Sequence, residues 1–401
     1  MGRTMILLLL ASAAAGGCAF GDGQQSWDGS VETLPNGVIR ITNSEQGLWR
    51  AGEEWRLTPE LNIGRLDGDG PDAFNSISGM VVSDDGRIYV LDRQANELRI
   101  FDASGAHVRT VGRSGQGPGE YSAANGLEWL APDTLIVADA QGNRFTVLTR
   151  DGDFVRTMQR PLNFFGWITN GGVHDRRFIE AGSVYRGADD YSPSFFVMHV
   201  GDAITHSDTV ASPFPGPGQS PYPSLSVQTD RGGMSMAAPF APGPVWHLND
   251  DGSIWYGFSD DYRLLHLTLE GDTLREIIAP AEPLPVQSAE LDEWEATAGV
   301  QRFREMGGRI DRSALPRTKP VFRAMTTDSY GNLWVELLDA DGLTEFDVFD
   351  ADGRRLGRVA TGVERMQWVK PRVRNDRLYL VATDDFGVQR VMAFRVEVPV
   401  G

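Results

Sequence analysis

At 401 residues, with 46 glycines and a formal charge of −18, the chain has room for two or three ordinary domains or one large repeat array. Acidity of this size argues against nucleic acid, since a phosphate-binding surface needs a basic patch. It leaves a small molecule, a glycan or a protein open as partner.

The first 17 residues have the layout of a secretory signal: Arg3, an apolar run over 5–10, then Ala13-Ala14-Ala15-Gly16-Gly17. The run is too short to span a membrane. Cys18, the single cysteine, follows directly. Ala15-Gly16-Gly17-Cys18 resembles the bacterial lipoprotein box, in which the cysteine is lipidated and becomes the new amino terminus. That resemblance implies export and a membrane attachment through lipid alone. With Ala19 next, it favours the outer membrane. Residues 18–37 are rich in Gly, Gln, Ser and Asp and read as a lipidated terminus followed by a flexible tether.

From residue 38 onward the chain reads as one folded unit. Residues 38–42 suit a short strand, and 55–64 read as the final strand of a repeat whose earlier strands are missing. The loop Gly64-Arg65 through Phe74 has a counterpart in Gly112-Arg113 through Tyr121, about one repeat later. Strand pairs align on Ile88, Leu135, Phe178, Ile254, Leu333 and Leu378, with gaps of 47, 43, 76, 79 and 45. The two long gaps hold insertions. Residues 205–243 are Pro- and Gly-rich and read as an extended loop. Residues 283–316 contain a helical stretch at 289–306, with Leu291, Trp294, Val300 and Phe303 near helical spacing.

Six repeats of about 40–45 residues predict an all-β, six-bladed β-propeller. The last repeat stops one strand short, so residues 55–64 are expected to complete it and close the ring. No interface is called for, and the protein is expected to be monomeric.

The runs Asp92-Arg93-Gln94-Ala95-Asn96-Glu97-Leu98-Arg99-Ile100-Phe101-Asp102 and Asp139-Ala140-Gln141-Gly142-Asn143-Arg144-Phe145 resemble the NHL-type repeat. With Gly115-Gln116-Gly117-Pro118-Gly119-Glu120-Tyr121, the chain is similar to bacterial six-bladed propeller lipoproteins of the TolB-like group. The resemblance covers about residues 55–398. It implies fold and location but no single activity, because propellers host binding proteins, scaffolds, lactonases and lyases alike.

Local motifs for chemistry are few. The glycine loop 112–119 lacks a following helix and a lysine, and reads as a blade connection. Asp67, Asp69 and Asp72 lack the remaining ligands of a calcium loop. The six histidines show no metal-ligand spacing, and no nucleophile elbow is present. The residues call for no cofactor and no metal. The alternative is a divalent ion on the axis, as in propeller lactonases, for which Asn125, Glu128, Asp139 and Asp328 are chemically suitable.

The primary reading is a binding or interaction module. Propeller ligands sit at the channel mouth, among loops that lead into the innermost strands and turns within blades. Tyr121, Asn125, Trp167, Trp246, Arg323 and Trp368 precede or open innermost strands. Arg93, Asn143, Arg144 and Tyr262 fall on within-blade turns. Aromatic and arginine side chains suit a sugar, a peptide or a planar ligand.

Overall fold

The computed structural model describes residues 27–66, 68–131, 133–159, 171–185, 191–211, 224–230, 232–384 and 386–399. They form six sheets, each with a four-stranded antiparallel blade, arranged as a propeller, and one separate hairpin. Blade 1 comprises Ile77–Val82, Ile88–Asp92, Glu97–Phe101 and His107–Val111. Blade 2 comprises Ala124–Ala131, Thr134–Asp139, Arg144–Thr149 and Phe154–Gln159. Blade 3 runs Gly171–His174, Arg177–Tyr185, Tyr191–Val200 and Ile204–Ala211. Blade 4 runs Pro244–Leu248, Ile254–Phe258, Arg263–Leu267 and Thr273–Ile278. Blade 5 is Ala324–Thr327, Leu333–Leu338, Thr344–Phe349 and Arg355–Ala360. Blade 6 takes Arg372–Arg374, Arg377–Thr383 and Gln389–Glu397 from the C-terminal end, and Arg56–Ile63 as its outermost strand. The expected closure is present.

The second strand of each blade shows why these sequences stack. In Ile88-Tyr89-Val90-Leu91, successive side chains point to opposite faces. Ile88 and Val90 enter an apolar cluster shared with blade 6, while Tyr89 and Leu91 enter one shared with blade 2. Blade 5 repeats this: Leu333 and Val335 pack toward blade 4, and Trp334 toward blade 6. Such strands are buried on both faces, so they read as continuous apolar runs. Turns between strands are set by Asp and Gly. Asp102 Oδ1 accepts from the amides of Ser104 and Ala106, at 2.9 and 3.0 Å, and Gly105 takes φ +84° to finish the turn.

Two expectations need correction, and the helical insertion is present. The tether expected at 18–37 is structured in its described part. Ser30–Thr33 pairs with Ile39–Thr42, which lies parallel beside Thr273–Ile278 and widens blade 4 to six strands. The β-branched residues at 31, 33, 39, 41 and 42 supply the strand propensity that composition hid. From there Leu48 and Trp49 donate backbone hydrogen bonds to Arg355 and Leu356 of blade 5. The N-terminal segment is thus a belt across the outer edges of blades 4, 5 and 6.

The insertion at 205–243 is not one extended loop. Its start belongs to the outermost strand of blade 3, and Leu225–Thr229 pairs with Gly232–Met236 as a hairpin. The helical stretch at 289–306 is two helices, Ser288–Ala296 and Ala298–Glu305, broken where Thr297 turns extended at ψ 145°. Only Val300 and Phe303 of its apolar positions are buried.

Asn43 pins the belt. Its Oδ1 accepts from the Arg355 amide at 2.7 Å and its Nδ2 donates to Gly353 O at 3.0 Å, both buried. Asn43→Ala leaves those groups unsatisfied and is expected to lower stability by about 1–3 kcal/mol in urea denaturation. An unchanged midpoint would show that the belt does not hold the ring.

Candidate functional site

The innermost strands of successive blades touch one another around the ring, so together they wall a central channel. They run in one direction. The loops between blades and the turns between second and third strands therefore lie on one face, which also carries both insertions. Approach is close: a side chain at Gly79 of blade 1 would place its Cβ 2.9 Å from Leu127 Cβ of blade 2.

The segment leading into and through the innermost strand of blade 6 carries Lys370, Arg372 and Arg374 at alternate positions. All three reach residues of non-adjacent blades, across the channel. Lys370 Nζ lies 4.6 Å from the ring centre of Trp246 in blade 4. Arg372 pairs with Glu128 of blade 2. Arg374 grips Asp250, in the turn below blade 4, with two bonds of 2.6 and 2.7 Å. Beside this ladder, His247 Nε2 lies 3.1 Å from Thr327 Oγ1. The Thr327 hydroxyl uses its proton on Asn249, so His247 donates.

Burial first, with Arg372 adding and Glu128 opposing, pushes Lys370 down to about 8. Burial, then Lys370 and Arg372, hold His247 well below its usual range, so it is neutral at pH 7. Asp250 is held below the usual carboxylate range, chiefly by its bonds from Arg374. At the loop-bearing end, Trp368, Lys370, Arg372 and Glu128 line a recess with Ser78 and Gly126, of about 20 Å³, room for one water-sized group. Trp368 is 72% exposed at its rim.

Of the residues singled out from sequence, Trp368 lies at this mouth, while Trp246 is buried in the apolar cluster of blades 3 and 4 and meets the ladder through Lys370. The others have work elsewhere. Arg144 donates to the carbonyls of Gly115, Gln116 and Glu120 and pairs with Asp139. Asp139 in turn accepts from the amides of Ser122, Ala123 and Gly142. Blade 1 repeats the clamp with Asp92 and Arg99, which holds Pro71 O and Ala73 O. Asn143 and Asn96 take φ +47° and +56° in equivalent turns, a conformation asparagine tolerates.

Tyr121 is fully buried between blades 1 and 2, and Gly112 packs against its ring. Tyr262 is buried and donates to Asp347 at 3.1 Å. Arg323 binds Glu336 at 2.8 Å. Asn125 is buried at the start of the innermost strand of blade 2. Arg93 is half-buried, its amide bonded to Ser76 O. Cys18, Asp67 and Trp167 lie outside the described residues.

The carboxylates considered for an axial ion are dispersed: Glu128 pairs with Arg372, Asp139 serves the clamp, and Asp328 caps its own turn below blade 5. Among the described residues, no three His, Cys, Asp or Glu side chains gather as a metal cage.

Sequence reasoning passed over Lys370, Arg372 and Arg374 and did not see Glu128 as an ion-pair partner. One signal was present. The chain has two lysines, Lys319 and Lys370, each followed by proline at the approach to an innermost strand.

Residues 73–165, which span blades 1 and 2, match the DUF5128 family model, described as a 6-bladed beta-propeller. Among solved structures, the chain is similar to a protein of Bacteroides fragilis described as an exported one, at 12% identity and TM-score 0.49, covering 89% of this chain and 99% of that one. It is similar to a DUF4221 member from Bacteroides vulgatus, at 13% identity and TM-score 0.46, covering 87% and 100%. A third is virginiamycin B lyase from Staphylococcus aureus, at 11% identity and TM-score 0.42, covering 84% and 99%. No curated protein matches the chain in sequence.

Two predictions follow from this geometry. Arg144→Ala leaves a buried Asp139 and three loop carbonyls without their partner, and is expected to cost about 3–5 kcal/mol in urea denaturation. A loss below about 1 kcal/mol would mean that the clamp is idle. Lys370 is charged at a cost in the folded chain. Between about 8 and its ordinary 10.5 the unfolded chain binds more proton, so stability should rise over that interval and carry the full penalty below it. Lys370→Met should raise the melting temperature at pH 7 and flatten that rise. A lower melting temperature would show that Lys370 stabilises the fold instead.

Proposed function

We propose that this chain is an exported, lipid-anchored binding module of the cell envelope, most simply at the outer membrane and monomeric. Its ligand docks at the loop-bearing mouth of the propeller channel. The observation that carries the reading is the pairing of an exposed Trp368 with a polar recess directly beneath it. A large aromatic left in solvent above unpaired donors gives a ligand contact area and orientation together. Export and lipidation rest on the 1–17 signal pattern and Cys18.

The lactonase- or lyase-like alternative would need carboxylates converging on the axis, and among the described residues no three His, Cys, Asp or Glu side chains gather there. The ligand is a small molecule or glycan, or a protein segment narrow enough to reach the mouth.

Two measurements test this. Cys18→Ser should move the protein from the membrane fraction to the soluble exported fraction; unchanged fractionation would remove the lipid anchor from the reading. A thermal-shift screen of metabolites and glycans should yield compounds whose stabilising effect is lost in Trp368→Ala at unchanged melting temperature of the free protein. Compounds that stabilise both proteins equally would place binding elsewhere.

A further inference from the structure

We propose that the recess under Trp368 is a carboxylate-binding site, in which Lys370 Nζ and Arg372 Nε receive the carboxylate edge of a small organic acid whose body covers Trp368. The inference rests on the mouth being the binding face and names the chemistry of what binds there.

The first argument is an imbalance of donors. Along the ladder, Arg374 is satisfied by Asp250 and the Arg372 terminal nitrogen by Glu128. Lys370 has an aromatic face and, among the described residues, no hydrogen bond or ion pair. Arg372 Nε is buried without a partner. Lys370 and Arg372 both line the recess, and among the described residues neither the ammonium nor this N–H has an acceptor. Leaving such donors desolvated is costly, and an incoming oxyanion removes the cost.

The second argument is size. About 20 Å³ admits one oxygen-sized group, which suits the edge of a planar carboxylate better than a tetrahedral phosphate. The rest of the ligand must stay outside, where Trp368 offers its indole. A third argument is electrostatic. The chain carries −18, so a polyanion is repelled by most of its surface, whereas a small monoanion meets a local excess of three cations over two carboxylates. Glu128 already occupies Arg372 from within and so acts as an internal competitor for the site.

The two lysines make the test direct. Reductive methylation of the purified protein with ¹³C-formaldehyde gives separate dimethyl-lysine resonances for Lys319 and Lys370, assigned with Lys370→Arg. Lys319 is paired with Glu290 at 2.6 Å and serves as the internal control. Benzoate, benzyl alcohol and inorganic phosphate are the probes. Benzoate is expected to move the Lys370 signal saturably and leave Lys319 in place, with benzyl alcohol and phosphate far weaker. Calorimetry should show benzoate binding weakened by about tenfold or more in Lys370→Gln and in Arg372→Gln, and tightened in Glu128→Gln.

Phosphate moving Lys370 more strongly than benzoate would overturn the choice of carboxylate. Benzyl alcohol and benzoate binding equally, with loss only in Trp368→Ala, would overturn the anion site and leave the mouth as binding face. An unmoved Lys370 with no aromatic probe sensitive to Trp368 would overturn both.

Discussion

The structure depends on closing a ring whose blades have no solvent face. A blade strand such as Ile88-Tyr89-Val90-Leu91 commits one pair of side chains to each neighbour, so every blade needs two partners. An open array would expose two apolar sheet faces and an unpaired edge. Arg56–Ile63 removes that problem by pairing with Gln389–Glu397, which joins the two ends of the chain in one sheet. The belt from Trp27 to Trp55 extends the same solution outward. Trp49 packs tilted on Trp55, ring centres 5.3 Å apart, and Trp55 on Trp334 at 5.8 Å, covering the outer seam of blades 5 and 6.

Between blades the polar residues carry a second, repeated constraint. An acid at the end of the second strand and an arginine at the third strand jointly hold the loop that enters the blade. The arginine satisfies carbonyls that a buried connection leaves without partners, and the acid satisfies amides of the same loop. This explains the Asp and Arg spacing of the repeat and why Arg144 was misdirected as a ligand group. A residue type suited to binding is equally suited to tying a loop, and position within the repeat decides between them. Blade 6 keeps a reduced form, with Arg390 bonded to Asp384 and Gly64 O.

What was legible in the sequence follows the range of the interactions. Strand pairs, Asp-Gly turns and the strand at 55–64 are local patterns, and six apolar starts aligned the blades. The strand at 30–33 was missed because it carries polar residues on an outer edge, where no apolar alternation is needed, while its partner at 39–42 was read. The strand Ile204–Ala211 was absorbed into an insertion because the polar run from His206 to Asp208 masks its period. The axial ladder joins residue 372 to 128, and 374 to 250. No window of sequence contains both partners, and the Lys370-Pro371 pair with the alternation of Lys370, Arg372 and Arg374 marked one side of it.

That ladder is graded along the channel. At the far end, Arg374 and Asp250 meet in a two-bond pair, and Asp250 O also faces His174. This seals the channel with matched charge. In the middle, Arg372 and Glu128 are matched at one nitrogen and unmatched at Nε. At the mouth Lys370 faces the Trp246 ring and, among the described residues, makes no hydrogen bond or ion pair. Unsatisfied polarity thus increases toward the face that carries the inter-blade loops and Trp368. A channel built for stability alone would be filled with apolar side chains or with complete ion pairs, because each desolvated donor destabilises the fold. Along this ladder, the donors without a partner among the described residues lie toward one end instead. This asymmetry supports the proposal that the loop-bearing face is the one that binds, with the opposite face closed by matched charge.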